Sequence, residues 1–423
     1  MNKKNTSQAR HAALSAFAGT TLEFYDYYVY ALASTLVLGK VFFSSQTTLA
    51  ADLASYGTLA AGFLARPLAG VVFGTLGDMW GRKKVLTITV VLMGFATMGI
   101  GLLPSYTTIG IGAPIALVLL RILQGISVGG EWGGGVLMAS EHAASGWKTF
   151  AASFAQLGSP AGMLMALSAF RLANSFGEAT FFAWAWRVPF LLGGVLALTC
   201  FLLRRKLTET PDFLAALSAG QAAFEHPLKK LNGHWPSVFY AGAAVVIGSA
   251  GFFFMNTFLL GYATQYVHLP SNVILNTLFI ATCFQLLTQP LAAFLAEKTG
   301  EVPFLLSSAA LCILMPYPVF FSLQSHNLVL ISCTITLAIV TLSAFYAVIA
   351  GYIVHAFPVS SRYTAISIAY QSSAALVSGF TPLIGTLIAS HYAGNWFPLA
   401  LFFSTLALIS ILGVVGLNQS NKT

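Results

Sequence analysis

The chain is short of charge. Only 8% of its 423 residues are Asp, Glu, Lys or Arg, and only 12 are acidic. An ordinary soluble domain carries roughly 25%. A water-soluble fold of this length cannot cover its surface with so few ions, which excludes soluble enzymes and nucleic-acid-binding domains. Cysteine is scarce too. Cys200, Cys283, Cys312 and Cys333 sit in apolar stretches without metal-ligand spacing, so neither a disulfide scaffold nor a metal site is expected. The alternating segments of about ten residues that mark a membrane β-barrel are missing. The basic start MNKKNTSQAR is followed by Glu23 and Asp26, so it does not read as a cleavable signal peptide.

Hydrophobic residues are abundant, at 57%. A spanning helix needs about 20 of them in a row. Hydropathy predicts twelve helical spans, near 13–38, 51–76, 85–104, 113–141, 149–170, 186–203, 237–262, 273–296, 303–322, 328–355, 363–390 and 396–417. An even number puts both termini on one side. That side then holds Lys3, Lys4, Arg10, the 82–84 and 204–206 runs, Lys148, Lys229, Lys230, Lys298, Arg362 and Lys422. The other side holds only Lys40, Arg171 and Arg187. The basic side is expected in the cytoplasm of a bacterial-type inner membrane. The net charge of +8 therefore records topology and not a nucleic-acid partner.

The longest polar stretch, 204–236, divides six spans from six. The expected organisation is an N-terminal bundle over 1–203, a cytoplasmic linker with short surface helices, and a C-terminal bundle over 237–423. The halves are weakly repeated: GTLGDMWGRKK (74–84) is matched by AFLAEKTGEVP (293–303), and Gln156 in FAQLG by Gln371 in AYQSS. Repeated bundles with a midplane site between them are a transporter architecture.

GTLGDMWGRKK places Gly74, Gly77 and Gly81 around Asp78, ahead of Arg82, Lys83 and Lys84. Glycines permit a tight turn between closely packed helices. A phosphate-cradling loop would need the P-loop pattern after a strand, which is lacking. The loop resembles the signature of the major facilitator superfamily. GTTLEFYDYYVYA (19–31), GFLARPLAGVVFG (62–74), the 108–135 run ending in GGEWGGG, WAWRVPF (184–190), ETPDF (209–213) and FPVSSRYTAISIAYQ (357–371) resemble its metabolite:proton symporters. That family includes carriers of shikimate, 2-oxoglutarate, citrate, and proline or betaine. The resemblance implies an all-α fold of twelve transmembrane helices in two pseudo-symmetric six-helix bundles. It also implies a cytoplasmic gate, expected to involve Gly74, Gly77, Asp78, Gly81, Arg82, Lys83, Glu141, Glu297 and Arg362. Met79, Glu301, His355 and Ala365 depart from the family pattern.

An ionised group in a span costs several kcal/mol, so such residues face the bundle interior and pair. Glu23 and Asp26 lie three apart, on one helical face with Tyr30. Arg121, Gln124 and Glu131 share a face of the fourth span. At 1.5 Å per residue, Asp26 lies about 20 Å from the cytoplasmic start of its span and Arg121 about 12 Å from the opposite end of its own. In a core about 30 Å thick these depths coincide. Arg66 lies nearer the level of Glu23. Two readings follow. Asp26, Glu23 or Glu131 carries a proton while Arg121 and Arg66 take substrate, or Glu23–Arg66 and Asp26–Arg121 are permanent structural pairs.

The second half has no ionisable Asp, Glu, Lys or Arg deep in a span. Its side of the site must be neutral, with Asn256, Tyr346, Tyr370 and Gln371 as candidates beside Tyr30, Gln124 and Gln156 of the first half. A monocarboxylate or a zwitterion fits so few cations better than a tricarboxylate. The expected function is proton-coupled import of such a compound by alternating access, in a monomer needing no cofactor and no metal. An exporter of drugs, siderophores or metabolites on the same fold is the alternative.

Overall fold

The computed structural model describes residues 3–43, 48–219 and 226–420. Every regular element among them is helical. Twelve long helices form two bundles of six. The first bundle is α1 (Lys3–Ala33), α2 (Thr48–Trp80), α3 (Arg82–Leu102), α4 (Gly112–His142), α5 (Lys148–Asn174) and α6 (Val188–Arg205). The second is α7 (Trp235–Gln265), α8 (Ser271–Thr299), α9 (Glu301–Ser325), α10 (Leu328–Val354), α11 (Arg362–His391) and α12 (Phe397–Ser420). Helices α3 to α12 are each long and apolar enough to cross a membrane.

Small residues set the packing inside the first bundle. Gly162 of α5 lies so close to α1 that a Cβ there would meet the Tyr25 backbone nitrogen at 2.6 Å. Gly129 of α4 meets the Gly70 nitrogen of α2 at 2.7 Å in the same sense. In lipid, helix association relies on such close approach, because apolar burial against other helices gains little. The glycine run of α4 is thus a packing face. The bundles meet where α2 packs on α11 and where α5 packs on α8 and α10. Three helices are interrupted by π turns: Ser34–Leu38 after α1, Phe254–Phe258 within α7 and Ala374–Ser378 within α11.

One boundary needs correction. Arg204, expected in the linker, lies in the last turn of α6 and is buried. The segment beyond carries helices Pro211–Ser218 and Pro227–Lys230. Lys422 and the side chains of Lys3 and Lys4, counted for orientation, lie outside the described residues.

Candidate functional site

Inside the first bundle, α1, α3 and α4 converge on Asp26. Its Oδ1 accepts from the Thr97 hydroxyl at 2.5 Å and from the Gln124 amide. Its Oδ2 faces Arg121 Nη1 at 3.4 Å. The same Nη1 donates to Gln124 Oε1 at 3.0 Å, and the guanidinium lies 4.2 Å from the centre of the Tyr30 ring. The Tyr30 hydroxyl bonds Thr58. All partners of the carboxylate are donors. The depth arithmetic from the sequence therefore pairs the right residues. Tyr30 and Gln124, expected to contact substrate, lie against the Asp26–Arg121 pair.

Glu23 and Arg66 form no ion pair; no N–O approach between them falls within the 4.0 Å seen for pairs elsewhere. Both line a cavity of ≈ 20 Å³ between the bundles, with Phe24, Tyr27, Ser249, Phe252, Phe253, Tyr346, Tyr370 and Ala374. Such a space is about one water in size. Rings from the two bundles roof it: Phe24 meets Phe252 at 5.8 Å and Tyr27 meets Phe253 at 5.6 Å, edge to face. Across the cavity the Tyr346 and Tyr370 hydroxyls bond each other at 2.7 Å, and Tyr370 stacks on Trp132 at 3.7 Å.

The other sequence candidates go elsewhere. Gln156 donates to the Tyr346 carbonyl at 2.9 Å and accepts from Trp132 Nε1 at 3.0 Å. Gln371 donates to the Val128 carbonyl at 3.0 Å. The two glutamines, matched in the repeat, thus make matched bonds across the bundle interface and do not line the cavity. Asn256 bonds the Phe252 carbonyl of its own helix. Glu131 is enclosed by Arg204 and by the Thr89 hydroxyl at 2.8 Å. Among the described residues no group of His, Cys, Asp and Glu is arranged to hold a metal ion.

At the basic end the bundles are locked by a charged network. Asp78 at the end of α2 accepts from the Tyr363 and Thr364 backbone nitrogens at 3.2 and 2.8 Å, capping α11. The cap uses the unpaired amides of a helix N-terminus. Arg82 meets Asp78 at 3.2 Å and Glu141 at 3.8 Å, and reaches the Val359 carbonyl at 2.7 Å. Arg362 joins Glu141 at 2.9 Å and Asp212 at 3.2 Å. Gly81 turns with φ +101°, and Glu209 caps the Arg82 nitrogen at 3.1 Å. Gly74 and Gly77 let α2 approach Thr364 and the Tyr363 ring. Lys83 points away, to the Arg205 carbonyl at 3.4 Å, and takes no part in the ion network. Met79 is exposed. Asp212, Glu209 and Thr97 were not singled out by sequence as individual contributors.

The second half repeats the cap with other charges. Glu297 at the end of α8 accepts from the Thr149 and Phe150 nitrogens at 2.6 and 3.3 Å, capping α5 as Asp78 caps α11. The repeat matches Arg82 with Glu301. It also matches Glu141, seven before Lys148, with His355, seven before Arg362. An acid stands where the first half has the base Arg82, and a histidine where it has the acid Glu141. Glu301 accepts from the Thr149 hydroxyl, and His355 makes no ion pair.

His355 is exposed at the end of α10, and partial desolvation there holds its imidazole below its ordinary value of 6.5, with Lys148 and Arg362 pushing the same way and Asp212 opposing. The closed arrangement, in which the basic ends of the bundles meet, therefore favours neutral His355. When the two ends part and Lys148 moves away, His355 protonates first, near pH 6.5. The closed state is thus expected to weaken as the pH on this side falls below about 6.5, and to be insensitive above it. Distances between labels on the basic ends of the two bundles should lengthen in acid, and His355→Gln should remove the response.

Residues 12–238 match the sugar (and other) transporter family. The chain is 33% identical over 420 residues to the shikimate transporter of Escherichia coli (strain K12), covering 98% of this chain and 96% of that one. It is 31% identical over 424 residues to the glycine betaine/proline/ectoine/pipecolic acid transporter OusA of Dickeya dadantii, covering 98% and 84%. Its fold is similar to the major facilitator superfamily proton:xylose symporter XylE bound to 6-bromo-6-deoxy-D-glucose, with TM-score 0.79, 18% identity, and coverage of 97% and 95%.

Proposed function

We infer the function from one premise: the chain belongs to the sugar (and other) transporter family of the major facilitator superfamily, and is a multi-pass membrane transporter. We propose that it imports a small organic acid or zwitterion together with a proton, by alternating access. The Asp26–Arg121 pair carries this reading. It is a buried carboxylate surrounded only by donors, about one helical turn from Glu23, which lines the cavity between the two bundles. Protonating Asp26 would release Arg121 and change the charge at the depth of the cavity, which couples proton and substrate. Glu23 and Arg66, which face the cavity, are the groups placed to meet substrate. Glu131, already neutralised by Arg204, is assigned a structural role.

In this reading the basic end is cytoplasmic, both termini lie there, and the membrane is a bacterial inner membrane. The Asp78, Arg82, Glu141, Arg362 and Glu297 contacts are the cytoplasmic gate. Residues 1–205 and 235–423 act as the two moving bodies and 206–234 as the linker. The working unit is a monomer in the bilayer, driven by the proton gradient without cofactor or nucleic acid.

The test is uptake into proteoliposomes with acid outside. Labelled shikimate, 2-oxoglutarate, citrate, proline and betaine are each offered with and without a protonophore. Protonophore-sensitive accumulation of one compound is the expected result. Accumulation of a compound that ignores the protonophore would sink the symport reading.

A further inference from the structure

We propose that a groove at the basic end of the first bundle seats one anionic phospholipid of the bilayer, with its phosphate on Arg10 and an acyl chain between α1 and α5. The proposal needs only that the chain spans a membrane, so it stands or falls apart from the choice of substrate and driving ion.

The first argument is the size and grading of the groove. It holds ≈ 640 Å³, against ≈ 20 Å³ for the cavity between the bundles. Alanines make its floor: Ala9 and Ala13 on α1, Ala144 in the turn after α4, and Ala151 on α5. Their methyl groups leave space that longer side chains would fill. Both α1 and α5 run inward from the basic end. On α1 Arg10 comes before Leu14, and on α5 Phe150 and Phe154 follow Trp147. Polarity therefore falls with depth along both walls. Phe154 lies seven residues beyond Trp147, about 10 Å deeper at the helical rise. Tryptophan is enriched at the level where headgroups meet hydrocarbon. The occupant must be polar at the mouth and apolar about 10 Å below it. A soluble metabolite fails the second condition and a plain hydrocarbon the first. A phospholipid meets both.

The second argument is charge. Arg10 is exposed, and none of the ion pairs among the described residues uses it. No acid is among the described residues that line the groove. The Trp147 ring lies 5.9 Å from the Phe294 ring of α8, and the Lys298 ammonium stands 4.2 Å from the centre of that same ring. Glu297, beside Lys298, is turned to the Thr149 and Phe150 nitrogens, and Lys148 meets Asp212 at 4.0 Å. Arg10 and Lys298 are thus the cations left around Trp147. An anionic headgroup gains from both. A zwitterionic one would set its ammonium beside them with no carboxylate to receive it.

The second bundle supplies a comparison. A groove of ≈ 440 Å³ lies in the matching place, between α7 and α11, with Trp235 at its mouth. Its polar lining is Ser372 and Ser373, and it carries no charge. Seating an acyl chain beside a tryptophan therefore does not require a cation, and Arg10 marks the first groove for an anion. Trp147 also joins that groove to α8 of the other bundle, so an occupied groove supports the α5–α8 contact.

The test is lipid retention by the full chain. The purified protein is taken from nanodiscs of phosphatidylcholine and phosphatidylglycerol, and native mass spectrometry counts the lipids it keeps. One phosphatidylglycerol should be held at least about 5-fold more tightly than phosphatidylcholine, the surface worth of one cation. Arg10→Gln should bring the ratio below about 2-fold, and Arg10→Lys should keep most of it. Ala9→Phe fills the groove and leaves Arg10 in place; it should lose this lipid although the charge is unchanged. Arg205 is a matched control, an exposed cation 5.9 Å from the Phe201 ring at the same end but outside the groove. Arg205→Gln should leave the ratio as it was. A parent that does not distinguish the two lipids overturns the proposal. So does an equal loss in Arg10→Gln and Arg205→Gln, which marks a diffuse surface attraction, or full retention by Ala9→Phe with an unchanged melting transition. Should Ala9→Phe fail to fold, the comparison of Arg10→Gln with Arg205→Gln decides alone, since both side chains are exposed.

Discussion

Arg204→Met is expected to lower the unfolding free energy by about 3–5 kcal/mol, the cost of leaving one member of a buried ion pair alone. Arg204 holds both Glu131 oxygens and the Leu86 carbonyl. Both side chains are 1% exposed. Without the guanidinium, Glu131 keeps only the Thr89 hydroxyl. Water cannot replace the loss, because Gly19 of α1 lies directly against the pair and a Cβ there would collide with it. The double variant Arg204→Met, Glu131→Met should recover most of the stability, since a well-packed apolar pair replaces a buried ion pair at little cost. Denaturant titration of the purified protein in detergent measures both. A single variant within about 1 kcal/mol of the parent, as for an exposed pair, would show that Glu131 is not held in this way.

This pair also shows where sequence reading stops. Hydropathy ends a span where the first charges appear, so the sixth span was expected to end at 203. A cation neutralised inside the bundle has no need to reach the surface, and α6 runs on to Arg205. By contrast, the Asp26–Arg121 contact was legible, because helix rise and period alone fix depth and face. The rotameric fate of the amides was not. Gln156 and Gln371 were matched by the repeat, yet their amide groups donate to backbone carbonyls, which no side-chain pattern marks. Thr97 is one of three threonines on α3, and only the neighbouring α1 makes it a donor to Asp26. The gate was half legible. Asp78 and Arg82 announce themselves in the glycine-rich turn. Asp212 and Glu209 depend on how the linker folds under the bundles. The inverted Glu301–His355 charges were on view in the repeat, since the seven-residue spacing to Lys148 and Arg362 is arithmetic on the sequence.

Asp26→Asn is expected to abolish proton-driven accumulation while sparing exchange. A gradient of two pH units supplies about 2.7 kcal/mol per proton, enough for about 100-fold accumulation with one proton per substrate. Asparagine cannot take up or release that proton, so the ratio should fall to about one. Substrate exchange across the membrane needs no net proton movement and should continue, because the variant keeps a side chain of the same size among Thr97, Gln124 and Arg121. The sign of the local charge decides the rest. The variant holds Arg121 without its carboxylate, as the protonated protein does, so its exchange rate should no longer vary with pH between 5 and 8. If Asp26 were a structural partner only, exchange and accumulation would fall together, through loss of the α1–α4 contact. If Glu23 carried the proton instead, Asp26→Asn would keep an accumulation ratio well above one, and Glu23→Gln would be the variant that loses it. Counterflow and gradient-driven uptake on the same vesicles therefore separate the three cases, because only a coupling residue divides the two activities.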